Sequence, residues 1–300
     1  MYLKSKKMFK FGTVAIIGRP NVGKSTLLNK ILGEDLSIIS SKPNTTRNSI
    51  KGIKTGEDYQ IVFLDTPGIH NAKDKINQLM VKQAIDGLSM VDLVYFMVTP
   101  DEIFGKEYKF ITEILNKVDA TKFLLINKVD AHDKKDVVNV ANKVFADGTF
   151  KFVLPISALE STNVDKLLEL TVEHLPEGIK LYESEEITTI PEKFLISEFI
   201  RESVFNLLKD EVPYNVVVEC EEVEDRNEEL LYIAASIIVN RSSQKGIIIG
   251  KRGEMLKKIG KYSREKLEAF FGVKVYLELF VKVKEDWMNR DEYLKIQGLI

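Results

Sequence analysis

The sequence predicts an α/β domain with a mostly parallel sheet, followed by a smaller α+β domain. A chain of 300 residues is long enough for two domains. Over the first half, short apolar runs alternate with amphipathic stretches, which is the pattern of a parallel sheet covered by helices. Later in the chain this order changes, and two strand-like runs follow each other directly. We therefore expect the first domain over residues 1–178 and the second over residues 191–300.

The first domain is expected to alternate short buried strands with helices that cover both faces of the sheet. In such a sheet, ligands bind at the carboxyl ends of the strands. The expected strands are Thr13–Ile17, Ile61–Leu64, Leu93–Val98, Phe123–Ile126 and Phe152–Pro155. The expected helices are Lys24–Leu32, Lys75–Leu88, Lys106–Lys117, Lys134–Phe145 and Val164–His174.

The second domain follows a break at Leu175–Gly178 and a polar stretch, residues 179–190, which is typical of a linker. It is expected to begin with a helix and to continue with two strands separated by an acidic turn. Two short helices about a pair of glycines and a last strand complete it, which indicates a compact α+β fold. The expected elements outside the helical pair are Glu192–Lys209, Tyr214–Glu219, Leu230–Val239 and Val273–Val283.

The composition predicts a soluble globular protein, because 44% of the residues are hydrophobic and 29% are charged, and the net charge of −2 does not by itself indicate a nucleic-acid binder. The protein is expected to be cytoplasmic. The single cysteine, Cys220, permits no intramolecular disulfide, which suits a reducing compartment. No apolar run approaches the roughly 18 residues of a membrane-spanning helix. A peripheral contact with the inner face of the cell membrane stays open, although a solvated terminus is the simpler interpretation of the basic start. Its basic residues are Lys4, Lys6, Lys7 and Lys10.

A glycine-rich segment, Gly18–Ser25, predicts a phosphate-binding loop because it follows an apolar strand and opens a helix. Glycines let the backbone curl so that amide groups face phosphate oxygens, and the helix N-terminus adds a positive field. Lys24 is expected to neutralise the β- and γ-phosphates, and Ser25 is expected to bind Mg²⁺. The residues expected to contact the nucleotide here are Gly18, Asn21, Val22, Gly23, Lys24, Ser25 and Thr26.

Two further segments are predicted to complete the phosphate and metal site. Asp65 follows a buried strand, where its carboxylate can hold Mg²⁺. Gly68 can turn its amide toward a γ-phosphate because it has no side chain to obstruct the backbone. In the polar loop before that strand, Thr45 or Thr46 can reach the metal when the γ-phosphate is present. The pattern predicts a loop that GTP orders and hydrolysis releases.

The segment Asn127–Asp130 follows another buried strand and predicts selection of guanine. The Asp130 carboxylate can accept hydrogen bonds from guanine N1–H and the exocyclic amine, a pair that adenine does not offer. The Asn127 amide can tie this segment to the phosphate loop, and the stem of Lys128 can cover the base. The residues expected to contact the base are Asn127, Lys128 and Asp130, with Ser157 and Ala158 presenting backbone amides to guanine O6.

A basic stretch around Gly250–Gly253 predicts a phosphate-binding surface in the second domain. Only Glu254 and Glu265 oppose its basic residues, and apolar Ile247–Ile249 and Met255 are expected to floor a groove on which bases stack. On this stretch alone, a solvated helix face with a glycine turn is an equally good interpretation. The basic residues are Lys245, Lys251, Arg252, Lys257, Lys258, Lys261, Arg264 and Lys266.

Further segments add to these motifs and together cover nearly the whole chain: Pro43–Arg47, Ile190–Phe194, Glu198–Glu202, Glu211–Tyr214, Gly246–Gly253 and Val281–Trp287. With them the chain resembles the Era family of translation-factor-related GTPases. The resemblance implies a Ras-like P-loop NTPase domain and a C-terminal type II KH domain, which binds small-subunit ribosomal RNA and acts in ribosome assembly. RNA binding is thereby implied for Gly250, Lys251, Arg252, Gly253, Lys257 and Lys258.

The resemblance also has implications for hydrolysis. Ile69 stands where Ras-like enzymes carry a water-orienting glutamine, so slow intrinsic turnover is implied. Asn21 matches a phosphate-loop asparagine that binds K⁺ in potassium-activated relatives, which implies a K⁺ site. The match favours Thr46 over Thr45 as the metal ligand. The implied Mg²⁺ ligands are Ser25, Thr46 and Asp65, and the implied catalytic residues are Lys24, Thr46 and Gly68.

The sequence therefore predicts a monomeric GTP-binding and GTP-hydrolysing switch whose partners are GTP, GDP, small-subunit ribosomal RNA and the small ribosomal subunit. One alternative is an RNA chaperone whose nucleotide site is only structural. A second is a membrane-associated signalling GTPase that uses the basic start of the chain. A third is a GTPase that acts on another ribosomal or tRNA target.

Overall fold

The computed structural model describes residues 8–40, 42, 45–72 and 75–299. These residues form two compact units. The first contains the chain up to Ser37 together with Thr46–Thr189, and the second contains Ile38–Thr45 and the chain from Ile190 onward. The domain limits expected from the sequence stay predictions. Residues Lys4, Lys6 and Lys7 of the basic start, and Pro43 and Asn44 of the loop motif, lie outside the described residues.

The described part of the first unit contains a sheet with the strand order β2-β3-β1-β4-β5-β6, in which every neighbouring pair is parallel except β2 and β3. The mostly parallel sheet expected from the sequence is therefore confirmed. The strands are β1 (Lys10–Gly18), β2 (Ile50–Thr55), β3 (Tyr59–Asp65), β4 (Leu93–Val98), β5 (Thr121–Ile126) and β6 (Phe152–Pro155). The helices are α1 (Lys24–Leu32), α2 (Lys75–Asp86), α3 (Lys106–Leu115), α4 (Lys134–Ala146) and α5 (Val164–His174).

The central strands form because their residues are apolar on both faces, as in a sheet covered on each side. Val14–Ile17, Leu93–Met97 and Phe123–Ile126 are all fully buried. The structure adds β2, a strand that the sequence did not predict, because Lys51 and Lys54 interrupt its apolar residues. Since β1, β3, β4, β5 and β6 are parallel, their carboxyl ends meet at one edge, and the loops that follow them share that edge.

The segment expected to be a linker is hydrogen-bonded to the first unit. The buried Gln60 side-chain oxygen accepts hydrogen bonds from the amides of Leu181 (2.8 Å) and Tyr182 (2.9 Å). The Ile53 amide of β2 donates to the carbonyl of Ile187 at 2.8 Å. This stretch therefore follows the edge of the first sheet up to the limit of the unit at Thr189.

The described part of the second unit is a sheet with the order β7-β8-β9, in which β7 is antiparallel and β9 is parallel to β8. The expected order of helix, two strands, two helices and strand is confirmed. The elements are α6 (Glu192–Leu207), β7 (Val216–Asn227), β8 (Leu230–Val239), α7 (Ser242–Ile249), α8 (Glu254–Phe271), β9 (Lys274–Val283) and α9 (Asp291–Ile296).

Two expectations for this unit were wrong in detail, and one helix was not predicted. Most of the expected acidic turn is the second half of β7, where Glu221, Glu222 and Glu224 are tolerated because the strand lies at a solvent-exposed sheet edge. The second of the two expected short helices, α8, is 18 residues long and amphipathic. The chain also forms α9, which is too short for periodicity to predict.

The short Ile38–Thr45 segment belongs to the second unit through hydrogen bonds with α6. The Ile39 amide donates to Glu202 Oε1 at 3.2 Å, and buried Arg201 donates from Nη2 to the Thr45 carbonyl at 2.6 Å. None of the helices formed by the described residues is long and apolar enough to cross a membrane.

Cys220 is expected to resist thiol reagents in the folded protein. It lies in the apolar core of the second unit, and burial raises the pKa of its thiol to about 11. At pH 8, only about one thiol in a thousand would be ionised, and the thiolate is the reactive form. A chromogenic disulfide reagent should label the native protein very slowly at pH 8 and should label one thiol per chain in guanidinium chloride. Rapid stoichiometric labelling of the native protein would contradict this burial.

Candidate functional site

The phosphate loop lies between β1 and α1, and its glycines pack closely against β4 and the segment after β5. Gly18 has φ +152°, and a Cβ there would lie 2.3 Å from the carbonyl oxygen of Met97. Gly23 has φ +101°, and its Cβ would lie 2.4 Å from the Asn127 side-chain nitrogen. Both positions therefore require glycine, because an added side chain would collide with fixed neighbours and strain the backbone. Thr26 lies in the first turn of α1, directly after the loop.

The Lys24 ammonium group points back into this loop. Its Nζ donates to the carbonyls of Arg19 (2.9 Å) and Gly18 (3.3 Å), and the residue is buried. Burial lowers the pKa of Lys24 to about 8, against the opposing charges of Asp65 and Glu102. A bound phosphate would stabilise the charged form by replacing weak carbonyl partners with anionic oxygens.

Oxygen atoms that suit a magnesium ion meet at the start of α1. Ser25 Oγ donates to Asp65 Oδ2 at 2.6 Å, and Thr46 Oγ1 lies 3.1 Å from Ser25 Oγ. Asp65 is fully buried, and burial raises the pKa of its carboxyl while nearby Lys24 and hydroxyl groups oppose the rise. Its second oxygen, Oδ1, has no hydrogen-bond partner in the described part of the chain. A buried carboxyl oxygen without a partner among the described residues, beside two hydroxyl groups, fits the donor set that Mg²⁺ prefers.

The segment after β3 packs directly on the phosphate loop. A Cβ at Gly68 would lie 2.6 Å from both the backbone nitrogen and Cγ of Pro20. The Ile69 amide donates to the Gly18 carbonyl at 3.0 Å, and the Ile69 side chain is fully buried in the apolar core. The Ile69 side chain therefore cannot orient a water molecule in this arrangement, because it has no hydrogen-bonding group and because it is buried in the core.

The expected base-binding residues lie after β5 and β6. The Asn127 Nδ2 donates to the Val22 carbonyl at 2.7 Å, which joins this segment to the phosphate loop. Lys128 and Asp130 are exposed in the following turn, so their side chains are accessible to a base. The amides of Ala158 and Ser157 differ from expectation: they donate to Asn127 Oδ1 (2.9 Å) and to the carbonyl of Thr162 (3.2 Å). A guanine O6 would have to compete with these acceptors.

One residue of this site was not predicted from the sequence. The Ser37 hydroxyl donates to Asp65 Oδ2 at 3.0 Å, and Ser37 is fully buried. It stands in a polar loop that matches none of the motifs, so no sequence signal distinguished it from other loop serines.

The second unit has a basic groove of about 780 Å³ between α8 and β9. The Gly250–Gly253 turn precedes α8, and Gly250, Gly253 and Arg252 have positive φ values of 71°, 80° and 52°. Lys251 and Arg252 are exposed on this turn. The groove is lined by Gly253, Glu254, Leu256, Lys257, Lys258, Gly260, Lys261, Arg264, Val275, Tyr276, Leu277 and Leu279.

None of the apolar residues expected to floor this groove lines it, although Ile247 is exposed. Ile248 is fully buried in the core of the unit, because α7 packs against the sheet, and Met255 also packs on that core. The apolar lining comes instead from α8 and from β9, at Leu256, Leu277 and Leu279. Lys266 lies away from the groove lining and forms an ion pair with Glu202.

Two sequence families match separate parts of the chain. The family described as a 50S ribosome-binding GTPase matches residues 13–128. The family described as a KH domain matches residues 211–288. The first match includes the phosphate loop, Asp65 and Asn127, and the second includes the whole basic groove.

Curated relatives match almost the whole chain. GTPase Era of Clostridium botulinum (strain Eklund 17B / Type B) is 47% identical over 291 residues, which cover 97% of this chain and 99% of the relative. GTPase Era of Clostridium kluyveri (strain ATCC 8527 / DSM 555 / NBRC 12016 / NCIMB 10680 / K1) has the same identity and coverage.

Solved structures agree with these relatives. One is Era in complex with MgGDPNP and nucleotides 1506–1542 of 16S ribosomal RNA, with a TM-score of 0.92 and 39% identity over 97% of this chain and 99% of that chain. Another is a variant of Aquifex aeolicus Era bound to GDP·AlF₄⁻, with the same TM-score, identity and coverage.

Proposed function

The chain belongs to the Era family of GTPases, and on that premise we propose that it is a GTP-driven switch that binds small-subunit ribosomal RNA and assists assembly of the small ribosomal subunit. It is a GTPase, with a Ras-like G domain followed by a KH domain. One observation carries the proposal: an Era chain with the same fold was solved with both a GTP analogue and 16S ribosomal RNA.

In the nucleotide site, Ser25, Thr46 and Asp65 would hold Mg²⁺, because their oxygens already lie together and Asp65 Oδ1 is unpartnered among the described residues. When bound, this ion supplies positive charge that offsets the phosphate oxygens. The position of the Thr46 hydroxyl beside Ser25 supports Thr46 rather than Thr45 in this role. Lys24 would exchange its loop carbonyls for the β- and γ-phosphates, and the Gly68 amide would face the γ-phosphate.

Slow intrinsic hydrolysis follows from the same arrangement. The buried Ile69 leaves the attacking water to be placed by backbone groups, by Thr46, or by an external activator.

Asp130 and Asn127 would select guanine, and the Lys128 stem would cover the base. The amides of Ser157 and Ala158 would contact O6 only after giving up their present acceptors.

Replacing Na⁺ by K⁺ is expected to raise GTP turnover by roughly tenfold. Asn21 lies exposed on the phosphate loop with φ 64°, and its side-chain amide oxygen is a neutral ligand of the kind that coordinates K⁺. The measurement is phosphate release at saturating GTP in KCl and in NaCl at equal ionic strength. Asn21→Gly is the matched variant, because glycine keeps the left-handed backbone without strain and removes the amide. In this variant the rate of phosphate release should be the same in KCl and in NaCl. Equal rates in the two salts for the wild-type protein would contradict the proposed K⁺ site.

The groove in the second unit is proposed to bind single-stranded RNA. Lys257, Lys258, Lys261 and Arg264 line it together with apolar residues and one acidic residue, Glu254. Such a surface attracts the phosphate backbone and offers an apolar face to unstacked bases. The Gly250–Gly253 turn would let Lys251 and Arg252 approach the RNA backbone closely, because the residues at both ends of the turn are glycines with positive φ and no side chain.

Replacing Lys257 and Lys258 together by alanine is expected to weaken RNA binding about tenfold and to reduce the salt dependence of log K by about 1.4. The probe is an RNA of nucleotides 1506–1542 of 16S ribosomal RNA, measured with a GTP analogue over a range of KCl concentrations. The control is Lys134→Ala with Lys135→Ala, an equal loss of charge on exposed positions of α4. Equal losses in both double variants would point to net charge rather than to the groove.

We further propose that the protein acts as a monomer in the cytoplasm, where its ribosomal partner would be found. The alternative of a contact with the membrane surface depends on residues 1–10, most of which lie outside the described part of the chain. Loss of vesicle binding on removal of those residues would favour it. A Lys24→Ala variant with full biological activity would favour a passive RNA chaperone instead.

A further inference from the structure

We propose that Ser37 is a positioning residue that holds Asp65 in the orientation required by the magnesium site. The inference rests on the Mg²⁺ site proposed above and assigns a role to a residue outside its ligand set. Ser37 lies on the loop between α1 and β2, at the last position of the first unit before the chain enters Ile38–Thr45.

The geometry fixes which oxygen of Asp65 can face a metal. The Ser37 hydroxyl donates to Oδ2 at 3.0 Å, and the Ser25 hydroxyl donates to the same atom at 2.6 Å. Oδ1 has no hydrogen-bond partner among the described residues. Two donors on one oxygen thus orient the carboxylate and leave the other oxygen for the metal or for a water bound to it.

Ser37 differs from the other hydroxyl groups near Asp65. Ser25 and Thr46 are proposed ligands, so their oxygens face the ion when it is bound. Ser37 is not a proposed ligand, and its hydroxyl can keep its hydrogen bond to Asp65 Oδ2 in both states. Because Asp65 is fully buried, a lost donor would not be replaced easily by water.

Ser37 is itself held rigidly on α1. The side chain of the buried Asn29 forms two hydrogen bonds with its backbone: Nδ2 donates to the Ser37 carbonyl at 2.9 Å, and the Ser37 amide donates to Oδ1 at 2.8 Å. The same helix begins with Lys24 and Ser25. The same helix therefore holds both the serine that orients Asp65 and the serine that would bind the metal.

The test is the dependence of nucleotide release on magnesium in the full-length protein. The probe is fluorescently labelled GDP, whose release rate is measured over a range of free Mg²⁺ concentrations, and whose affinity is measured separately in EDTA. Ser37→Ala should raise the Mg²⁺ concentration of half-maximal effect roughly 10- to 100-fold and should change the affinity in EDTA less than about threefold. Ser37→Thr, which keeps the hydroxyl, should restore most of the response.

Tyr95→Phe is the control, because it removes another buried hydroxyl of the same unit, whose hydrogen bond is to Thr171 and not to Asp65. It should leave the Mg²⁺ midpoint unchanged. An unchanged midpoint in Ser37→Ala, or an equal loss of GDP affinity in EDTA, would overturn the positioning role. If Ser37→Ala fails to fold, the near-isosteric Ser37→Cys, a weaker donor, should give an intermediate shift, and a wild-type midpoint there would overturn the role. A wild-type protein without any Mg²⁺ response would instead overturn the proposed metal site.

Discussion

Asp130→Asn is expected to weaken the binding of guanine nucleotides roughly a thousandfold and to create a preference for xanthine nucleotides. The carboxylate would accept two hydrogen bonds from guanine, and each such bond to a charged group contributes about 2 kcal/mol, so their loss amounts to about 4 kcal/mol. The asparagine amide places a donor opposite the exocyclic amine of guanine, whereas xanthine carries a carbonyl oxygen at that position. Asp130 is exposed in the turn after β5, so the substitution should leave the fold intact.

The measurement is the equilibrium affinity for GDP, XDP and ADP by titration calorimetry. Asp136→Asn is the matched control, since it removes one exposed carboxylate from the neighbouring α4 and should change no affinity by more than about twofold. Unchanged selectivity in Asp130→Asn would mean that guanine is chosen elsewhere, and the assignment of the base site would have to be abandoned.

Gly68→Ala is expected to lower the rate of GTP hydrolysis roughly a hundredfold or more. The new methyl group would lie 2.6 Å from the Pro20 backbone nitrogen, so either the phosphate loop or the segment after β3 must move. Such a displacement removes the proposed contact between the Gly68 amide and the γ-phosphate. GDP has no γ-phosphate, so its binding does not depend on this contact. GDP affinity should therefore fall much less than the hydrolysis rate.

Gly87→Ala provides the control for this substitution. It adds the same methyl group in the same unit, but among the described residues, apart from its neighbours in the chain and its own helix backbone, no atom lies within 4 Å of the position that the new atom would occupy. Its hydrolysis rate should match that of the wild type, with equal or slightly higher thermal stability. The comparison is made by single-turnover phosphate release, and wild-type hydrolysis in Gly68→Ala would show that close packing on Pro20 is not required.

Much of the nucleotide site could be predicted because its residues follow strands in a fixed order along the chain. Ser25, Asp65 and Asn127 were each placed after an apolar run, and a parallel sheet brings such positions to one edge. The bridge from Asn127 to Val22 has the arrangement expected from that order. The same logic failed for the basic groove, where Ile248 faces the core although its sequence neighbours suggested a groove floor.

By itself, the sequence determined the two-domain α/β and α+β architecture, the phosphate loop, the candidate base-selecting aspartate and the basic stretch around Gly250–Gly253. These features are local, because a strand, a turn and a charge cluster are each encoded by neighbouring residues. Only the tertiary structure placed Ser37 on Asp65, engaged the amides of Ser157 and Ala158, and chose β9 to line the groove. Those contacts join segments far apart in the chain. Packing, rather than the local sequence pattern, decides which polar atoms meet in a buried space.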